Sequence, residues 1–145
     1  MKNAIDLLPD LRDWNGGKGV KPEDWLCAVA RSDQAVAFTA LFWPKIVVHN
    51  DYVLRYDFSE EKLQDGEAGG YTRSQIEAML NYNSLETFFQ GGDEVEIIAE
   101  ERAGYVCKIM VDMLDAKLRR DLPDRRCKVE FLDNEDDFAV TFWQE

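Results

Sequence analysis

Residues 93–121 have the sequence DEVEIIAEERAGYVCKIMVDMLDAKLRRD and contain the longest helical pattern in the chain. Asp93 and Glu96 have the spacing of a capping box, and Pro123 follows the other end. The apolar side chains recur at spacings of three and four, which is typical of one buried helix face: Val95, Ile98, Ala99, Val106, Ile109, Met110, Met113 and Leu114. The sequence therefore predicts one long helix near residues 94–121.

The stretch that follows this helix alternates between two rows of side chains, which is the pattern of β-strands. Cys127, Val129 and Phe131 form one row before the acidic segment Asp133–Asp137. Phe138, Val140 and Phe142 form a similar row after it. The pattern predicts a β-hairpin with an acidic turn.

A second hairpin is predicted over Lys45–Tyr56, where two apolar runs flank Asn50-Asp51. A two-residue turn at this position places His49 opposite Tyr52 and Val47 opposite Leu54.

Shorter helices are predicted between these elements from capping residues and apolar spacing. They cover about Pro22–Ala30, Gln34–Phe42, Glu60–Gln64, and a helix after the Thr72/Gln75 capping box whose apolar stripe is Ile76, Met79 and Leu80. One further helical turn is predicted after Ser84. Segments predicted as loops are Trp14–Gly19 and Asp65–Gly70, both of which contain glycine.

Two hairpins and several helices, without strand–helix–strand alternation, predict an α+β fold. We expect an antiparallel sheet built from the two β-hairpins, packed on one face with several helices, including the long one. No linker or repeat divides the sequence, so residues 1–145 are predicted to form a single domain.

The charge of the chain restricts its partners. Its 145 residues include 29 acidic and 17 basic ones, giving a formal net charge of −12. Phosphate backbones and anionic membranes are bound through Lys and Arg, so nucleic acid and membrane partners are disfavoured. A basic protein would instead be attracted, although the same charge also serves solubility alone. With three widely spaced cysteines, no signal-peptide pattern and no apolar stretch of membrane-spanning length, the sequence predicts a cytoplasmic protein.

Acidic clusters are the candidate partner-binding residues: Glu60, Glu61, Asp133, Glu135, Asp136 and Asp137. Tyr and Trp side chains nearby would serve as anchors. The hypothesis they favour is a binding protein that docks a basic partner, as inhibitor or immunity proteins do. The cluster of residues 133–137 lacks the glycine and the ligand spacing of a calcium loop, so no metal site is predicted.

The basic cluster around Leu122-Pro123 supports an alternative hypothesis, a small-molecule-binding or regulatory module with an anion site. The candidate ligand-binding residues are Arg119, Arg120, Arg125 and Arg126, because Arg binds carboxylate and phosphate in a bidentate manner. Internal pairing with Asp121 and Asp124 explains the same cluster without a ligand.

Catalytic signals are weak, so an enzyme is the least favoured hypothesis. His49 is the single histidine. Cys127 follows two arginines but lies in a core-facing strand pattern. Gly16-Gly17-Lys18-Gly19 lacks the Walker spacing. No catalytic residue and no cofactor is predicted.

Four short motifs together resemble a family of small uncharacterised bacterial proteins: Trp14–Gly19, Phe42-Trp43-Pro44, Pro123–Arg126 and Thr141–Gln144. The resemblance implies a bacterial, single-domain protein and brings no activity. A homodimer is compatible with the long helix, which carries apolar residues outside its main stripe: Ile97, Tyr105, Val111 and Leu118.

Overall fold

The computed structural model of the chain describes residues 2–85, 96–134 and 137–145. A 3₁₀-helix (Ala4–Leu7) precedes the helices, which are α1 (Pro9–Gly17), α2 (Pro22–Val29), α3 (Ser32–Phe42), α4 (Glu60–Ala68), α5 (Arg73–Leu80) and α6 (Glu96–Asp121). The strands are β1 (Ile46–His49), β2 (Tyr52–Arg55), β3 (Asn83–Ser84), β4 (Cys127–Asn134) and β5 (Asp137–Gln144).

The α+β class, both hairpins and the long helix are confirmed. β1 pairs with β2 in the predicted register, with His49 opposite Tyr52 and Val47 opposite Leu54. Asn50 and Asp51 have φ angles of 48° and 70°, which a two-residue hairpin turn requires. In the described part of the chain, however, the hairpins lie in separate antiparallel sheets: β1-β2, and a second sheet in the order β3-β5-β4.

Helices pack against both faces of β5, and the expectation of helices on one face is wrong. Val140 and Phe142 belong to the main core together with Met110 of α6. Thr141 lies on the opposite face, because side chains alternate along a strand, and its hydroxyl donates a hydrogen bond to Ala78 O of α5 at 2.6 Å. β5 is thus covered by α6 on one face and α5 on the other, while its edges pair with β3 and β4.

The long helix ends at Asp121, as predicted, while the proposed Asp93 cap lies outside the described residues. Two of the apolar residues that fall outside its main stripe contribute to the core. Leu118 is buried in the main cluster and Val111 packs against it. These two residues therefore do not form a second apolar surface.

The predicted loop at Asp65–Gly70 is largely helical, because α4 continues to Ala68. Gly66 is buried, and a Cβ built on it would lie 2.9 Å from Ile76 Cγ1 of α5. The missing side chain at Gly66 lets α4 and α5 approach closely, so this glycine serves packing rather than a turn. Ser84 lies in β3, and the helical turn predicted after it extends outside the described residues.

Candidate partner-binding site

Two polar residues, Glu77 of α5 and Asn81 directly after this helix, connect the two sheets. Glu77 is fully buried; its Oε1 accepts from Val53 N at 2.8 Å and from Gln144 Nε2 at 2.5 Å. Its Oε2 accepts from Gln144 N at 2.6 Å. One turn later, Asn81 donates from Nδ2 to the carbonyl oxygens of Val53 and Phe142 at 2.9 and 3.0 Å. The side chains of Glu77 and Asn81 thus bind backbone groups of both β2 and β5.

A second polar network lies beside Glu77 and fixes the first hairpin turn. Asp51 pairs with Arg125 at 2.8 Å and with Arg73 at 2.9 Å. Hydrogen bonds from both arginines lower the pKa of the Asp51 carboxyl, and the bond from Arg125 has the larger effect. Gln144 Nε2 donates to Asp51 O at 2.8 Å. Together these networks hold β2, α5 and β5 in one fixed arrangement.

The predicted arginine cluster is dispersed among carboxylates of the same chain. Arg119 pairs with Asp115 at 2.8 Å, and Arg120 pairs with Asp121 at 2.8 Å. The guanidinium of Arg120 also lies 5.0 Å from the centroid of the Trp43 ring. Arg125 holds Asp51, as described above. This geometry favours internal pairing over a shared anion site.

Arg126 is exposed, and within the described ranges no ion pair forms on its side chain. Its carbonyl oxygen accepts from Glu145 N at 2.9 Å, so its backbone is held by the end of the chain. One exposed arginine alone gives little support for an anion-binding site.

The pairing of Asp121 is open to a direct test by carboxyl NMR titration. Hydrogen bonds from Arg120 and Lys117 lower the pKa of Asp121 to about 2. We expect Arg120→Gln to raise that pKa towards 3.8. Because the folded-state pKa is lowered, the pairing stabilises the fold above the unfolded-state pKa, and this contribution is lost as the pH falls towards 2. Arg119→Gln is the control, since Arg119 pairs with Asp115; an equal shift in both variants would contradict the assignment.

The acidic candidates lie in two places. Glu60 and Glu61 are exposed in the first turn of α4, whose N-cap Ser59 accepts from Lys62 N at 3.3 Å. Asp133 is exposed on β4, and Asp137 at the start of β5 accepts hydrogen bonds from Tyr82 and from Ser84 Oγ. Glu135 and Asp136 lie outside the described residues.

A groove of about 760 Å³ lies between these two places. α4, α5 and β3 form its walls together with the end of β2 and the segment after it. Its lining residues are Arg55, Asp57, Phe58, Ser59, Lys62, Asp65, Tyr71, Met79, Leu80, Tyr82 and Asn83. Ser59 connects the groove to Glu60 and Glu61, and Tyr82 connects it to Asp137. We call this surface the α4–α5 groove.

Exposed apolar side chains give the α4–α5 groove its binding character. Tyr71 is 58% exposed and Met79 is 51% exposed, although Met79 was predicted to lie in the buried stripe of α5. Asn83 Nδ2 is buried and, in the ranges that the structure covers, has no hydrogen-bond acceptor. A groove with exposed aromatic and methionine side chains fits a segment of another protein.

Cys107 and Cys127 lack the lowered pKa that a nucleophilic thiol needs. Burial raises the pKa of the Cys107 thiol to about 12 and also raises that of Cys127. His49 Nε2 lies 3.5 Å from Glu60 Oε1, and its ring contacts Phe58. A raised pKa keeps a thiol protonated and unreactive at neutral pH.

Sequence reasoning found the acidic residues near the α4–α5 groove but missed the groove itself. Tyr71 and Tyr82 have no distinctive local pattern, and Met79 was predicted to be a core residue because its spacing from Ile76 is helical.

No protein-family model, curated protein or solved structure matches this chain. Among the described residues, no helix combines the length and apolar character needed to cross a membrane.

Proposed function

We propose that this chain is a protein-binding module that docks a segment of a basic protein in the α4–α5 groove. The observation that carries the proposal is the exposure of Tyr71, Met79 and Tyr82 along a groove that has carboxylates around it. Aromatic and methionine side chains are enriched in protein interfaces, where they supply most of the contact energy.

Charge supports a basic partner. The groove lining contains two carboxylates, Asp57 and Asp65, and two cations, Arg55 and Lys62, so the lining itself is balanced. The surroundings add Glu60, Glu61 and Asp137, and the whole chain carries −12. Such a field accelerates the encounter with a positively charged surface and weakens as salt rises.

The alternative of an anion-binding regulatory module has less support from the geometry. Three of its four candidate arginines, Arg119, Arg120 and Arg125, already pair with carboxylates of the chain. An added anion would have to displace those partners.

Affinity capture with matched variants tests the proposal. The chain is immobilised as wild type and as Tyr71→Ala/Met79→Ser, incubated with lysate of its source organism, and washed at rising salt. We expect the wild type to retain one basic protein that elutes progressively with salt. Loss of two central anchors should lower the affinity at least 30-fold, since anchor truncations commonly cost about 2 kcal/mol or more.

Two controls separate anchoring from general surface effects. Asp57→Asn/Asp65→Asn should weaken retention at low salt, whereas Asp112→Asn/Asp124→Asn removes the same charge from exposed positions outside the groove and should retain the partner. Equal retention by wild type and the Tyr71→Ala/Met79→Ser variant would exclude the α4–α5 groove as the binding site.

A further inference from the structure

A cavity lined by residues of α1, α2 and α6 lies apart from the α4–α5 groove. Its volume is about 740 Å³, which is in the range of small-ligand sites. Trp14 of α1 and Trp25 of α2 both line it. The cavity shares no lining residue with the α4–α5 groove. We call this cavity the two-tryptophan pocket.

The turn between α1 and α2 brings the two tryptophans to the same cavity. The backbone leaves the helical conformation at Trp14, whose ψ angle is 164°. Gly19 N then donates to Trp14 O at 3.0 Å, and Val20 N donates to Leu11 O at 2.9 Å. These bonds fold the chain back along α1, and α2, which starts directly after this turn, carries Trp25 to the pocket. Residues of two different helices thus line one cavity.

The four tryptophans of the chain differ in what lies over their rings. Lysine ammonium groups of the chain lie 5.0 Å from the ring centroid of Trp43 and 5.1 Å from that of Trp143. Within the described ranges, no cation lies over Trp14 or Trp25. The face of an aromatic ring attracts cations, and the indole of Trp does so most strongly. The two-tryptophan pocket therefore offers two indoles to a cation that is not part of the chain.

The charges of the lining also favour a positively charged ligand. Asp10 and Asp13 line the pocket; both are exposed, and in the part of the chain that the structure describes neither takes part in an ion pair. Arg102 lines it as well, and its Nε donates to Leu7 O at 2.8 Å. Two carboxylates and one guanidinium leave an excess of one negative charge. A monovalent cation would balance this excess.

The apolar part of the lining indicates which kind of cation fits. Leu11, which is 3% exposed, and the half-buried Leu8 complete the lining beside the two indoles. None of these four side chains contains a hydrogen-bond acceptor. A primary ammonium group is strongly hydrated and would lose water against such a surface without compensation. A quaternary ammonium group has no N–H donor to satisfy, and its methyl groups pack against indole and leucine.

We propose that the two-tryptophan pocket binds a small quaternary ammonium compound. The methylated nitrogen lies against the rings of Trp14 and Trp25, and Asp10 and Asp13 compensate its positive charge. Aromatic rings bind quaternary ammonium groups through this combination of cation–π attraction and apolar contact. The site goes beyond the protein-binding function proposed above, because its residues and its ligand are both different from those of the α4–α5 groove.

Titration of the wild-type chain with choline, followed by NMR of the four tryptophan side-chain N–H signals, tests the site without any substitution. We expect saturable shifts of the Trp14 and Trp25 signals with a Kd of about 1 mM or lower, and unchanged signals of Trp43 and Trp143. The neutral carbon analogue of choline, in which a tert-butyl group replaces the trimethylammonium group, should bind about 10-fold more weakly or worse. Ethanolamine, the unmethylated analogue, should also bind more weakly. Equal binding of either analogue, or no saturable shift up to about 100 mM choline, would overturn the proposal.

A matched pair of tryptophan variants locates the ligand by calorimetric titration with choline. Trp14→Leu keeps an apolar side chain at a position that is 47% exposed but removes the aromatic ring. We expect this variant to raise the Kd for choline about 10-fold or more. Trp43→Leu removes an indole that Lys117 already covers and should leave the Kd unchanged. Equal affinities of Trp14→Leu and the wild type would contradict the proposed site.

The two carboxylates are tested in the same titration. Asp10→Asn/Asp13→Asn should raise the Kd for choline about 3-fold at low salt, because exposed carboxylates attract a cation only modestly. Asp112→Asn/Asp124→Asn removes the same charge from exposed positions outside the pocket and should not change the Kd. An equal effect of both double variants would mean that only the net charge of the chain matters, and would contradict the role assigned to Asp10 and Asp13.

Discussion

Replacement of Glu77 by leucine should lower the free energy of unfolding by about 4 kcal/mol, because two buried backbone N–H groups lose their acceptor. These groups are Val53 N and Gln144 N, which lie on strands of different sheets. Leucine fills a similar volume but accepts no hydrogen bond. Chemical unfolding monitored by Trp fluorescence measures the loss.

Conservative and exposed substitutions make this prediction specific. Glu77→Gln keeps one acceptor oxygen but turns an amide donor towards backbone donors, so we expect a smaller loss of about 1–2 kcal/mol. Glu61→Leu, at an exposed position of α4, should change stability by about 0.5 kcal/mol or less. A Glu77→Leu variant as stable as Glu61→Leu would show that the carboxylate does not connect the sheets.

Replacement of Asn81 by leucine should cost about 3 kcal/mol, the second-largest effect that we expect. Its Oδ1 accepts from Arg55 N at 3.0 Å, and its Nδ2 donates to Val53 O and Phe142 O. All three backbone groups lose their partner together. The same unfolding experiment measures the change in free energy.

Hydrogen exchange separates the contributions of Asn81 and Glu77. Asn81→Leu should reduce protection of the Arg55 amide, whereas Glu77→Leu should reduce protection of the Val53 and Gln144 amides. Gln64→Leu, an exposed polar-to-apolar change on α4, is the control and should alter neither. Unchanged protection at Arg55 in Asn81→Leu would contradict the assigned hydrogen bond.

Local features of the fold were predictable because neighbouring residues contain the information. The turn at Asn50-Asp51 set the register of the first hairpin, because a two-residue turn admits one pairing. The capping box of Thr72 and Gln75 set the start of α5, and its two reciprocal hydrogen bonds are present. The end of α6 at Asp121 followed from the proline two residues later.

Assignments that depended on distant packing were wrong or missing. Helical spacing predicted Met79 in the core and left Glu77 unassigned, whereas Met79 is exposed and Glu77 is buried. An isolated α5 would expose a carboxylate to water. Here Glu77 is buried because β2 and β5 both present backbone N–H groups to its carboxylate. One of these groups, Gln144 N, belongs to a residue 67 positions away in sequence.

The candidate site shows the same division. The sequence alone determined the α+β class, the hairpins, the long helix and the acidic character that favours a basic partner, since composition and short-range periodicity carry these properties. Only the tertiary structure paired the arginines with carboxylates, exposed Tyr71 and Met79 in the α4–α5 groove, and left residues 26–40 exposed. The physical reason is that burial and ion pairing depend on which elements meet in space, and local sequence patterns do not encode those meetings.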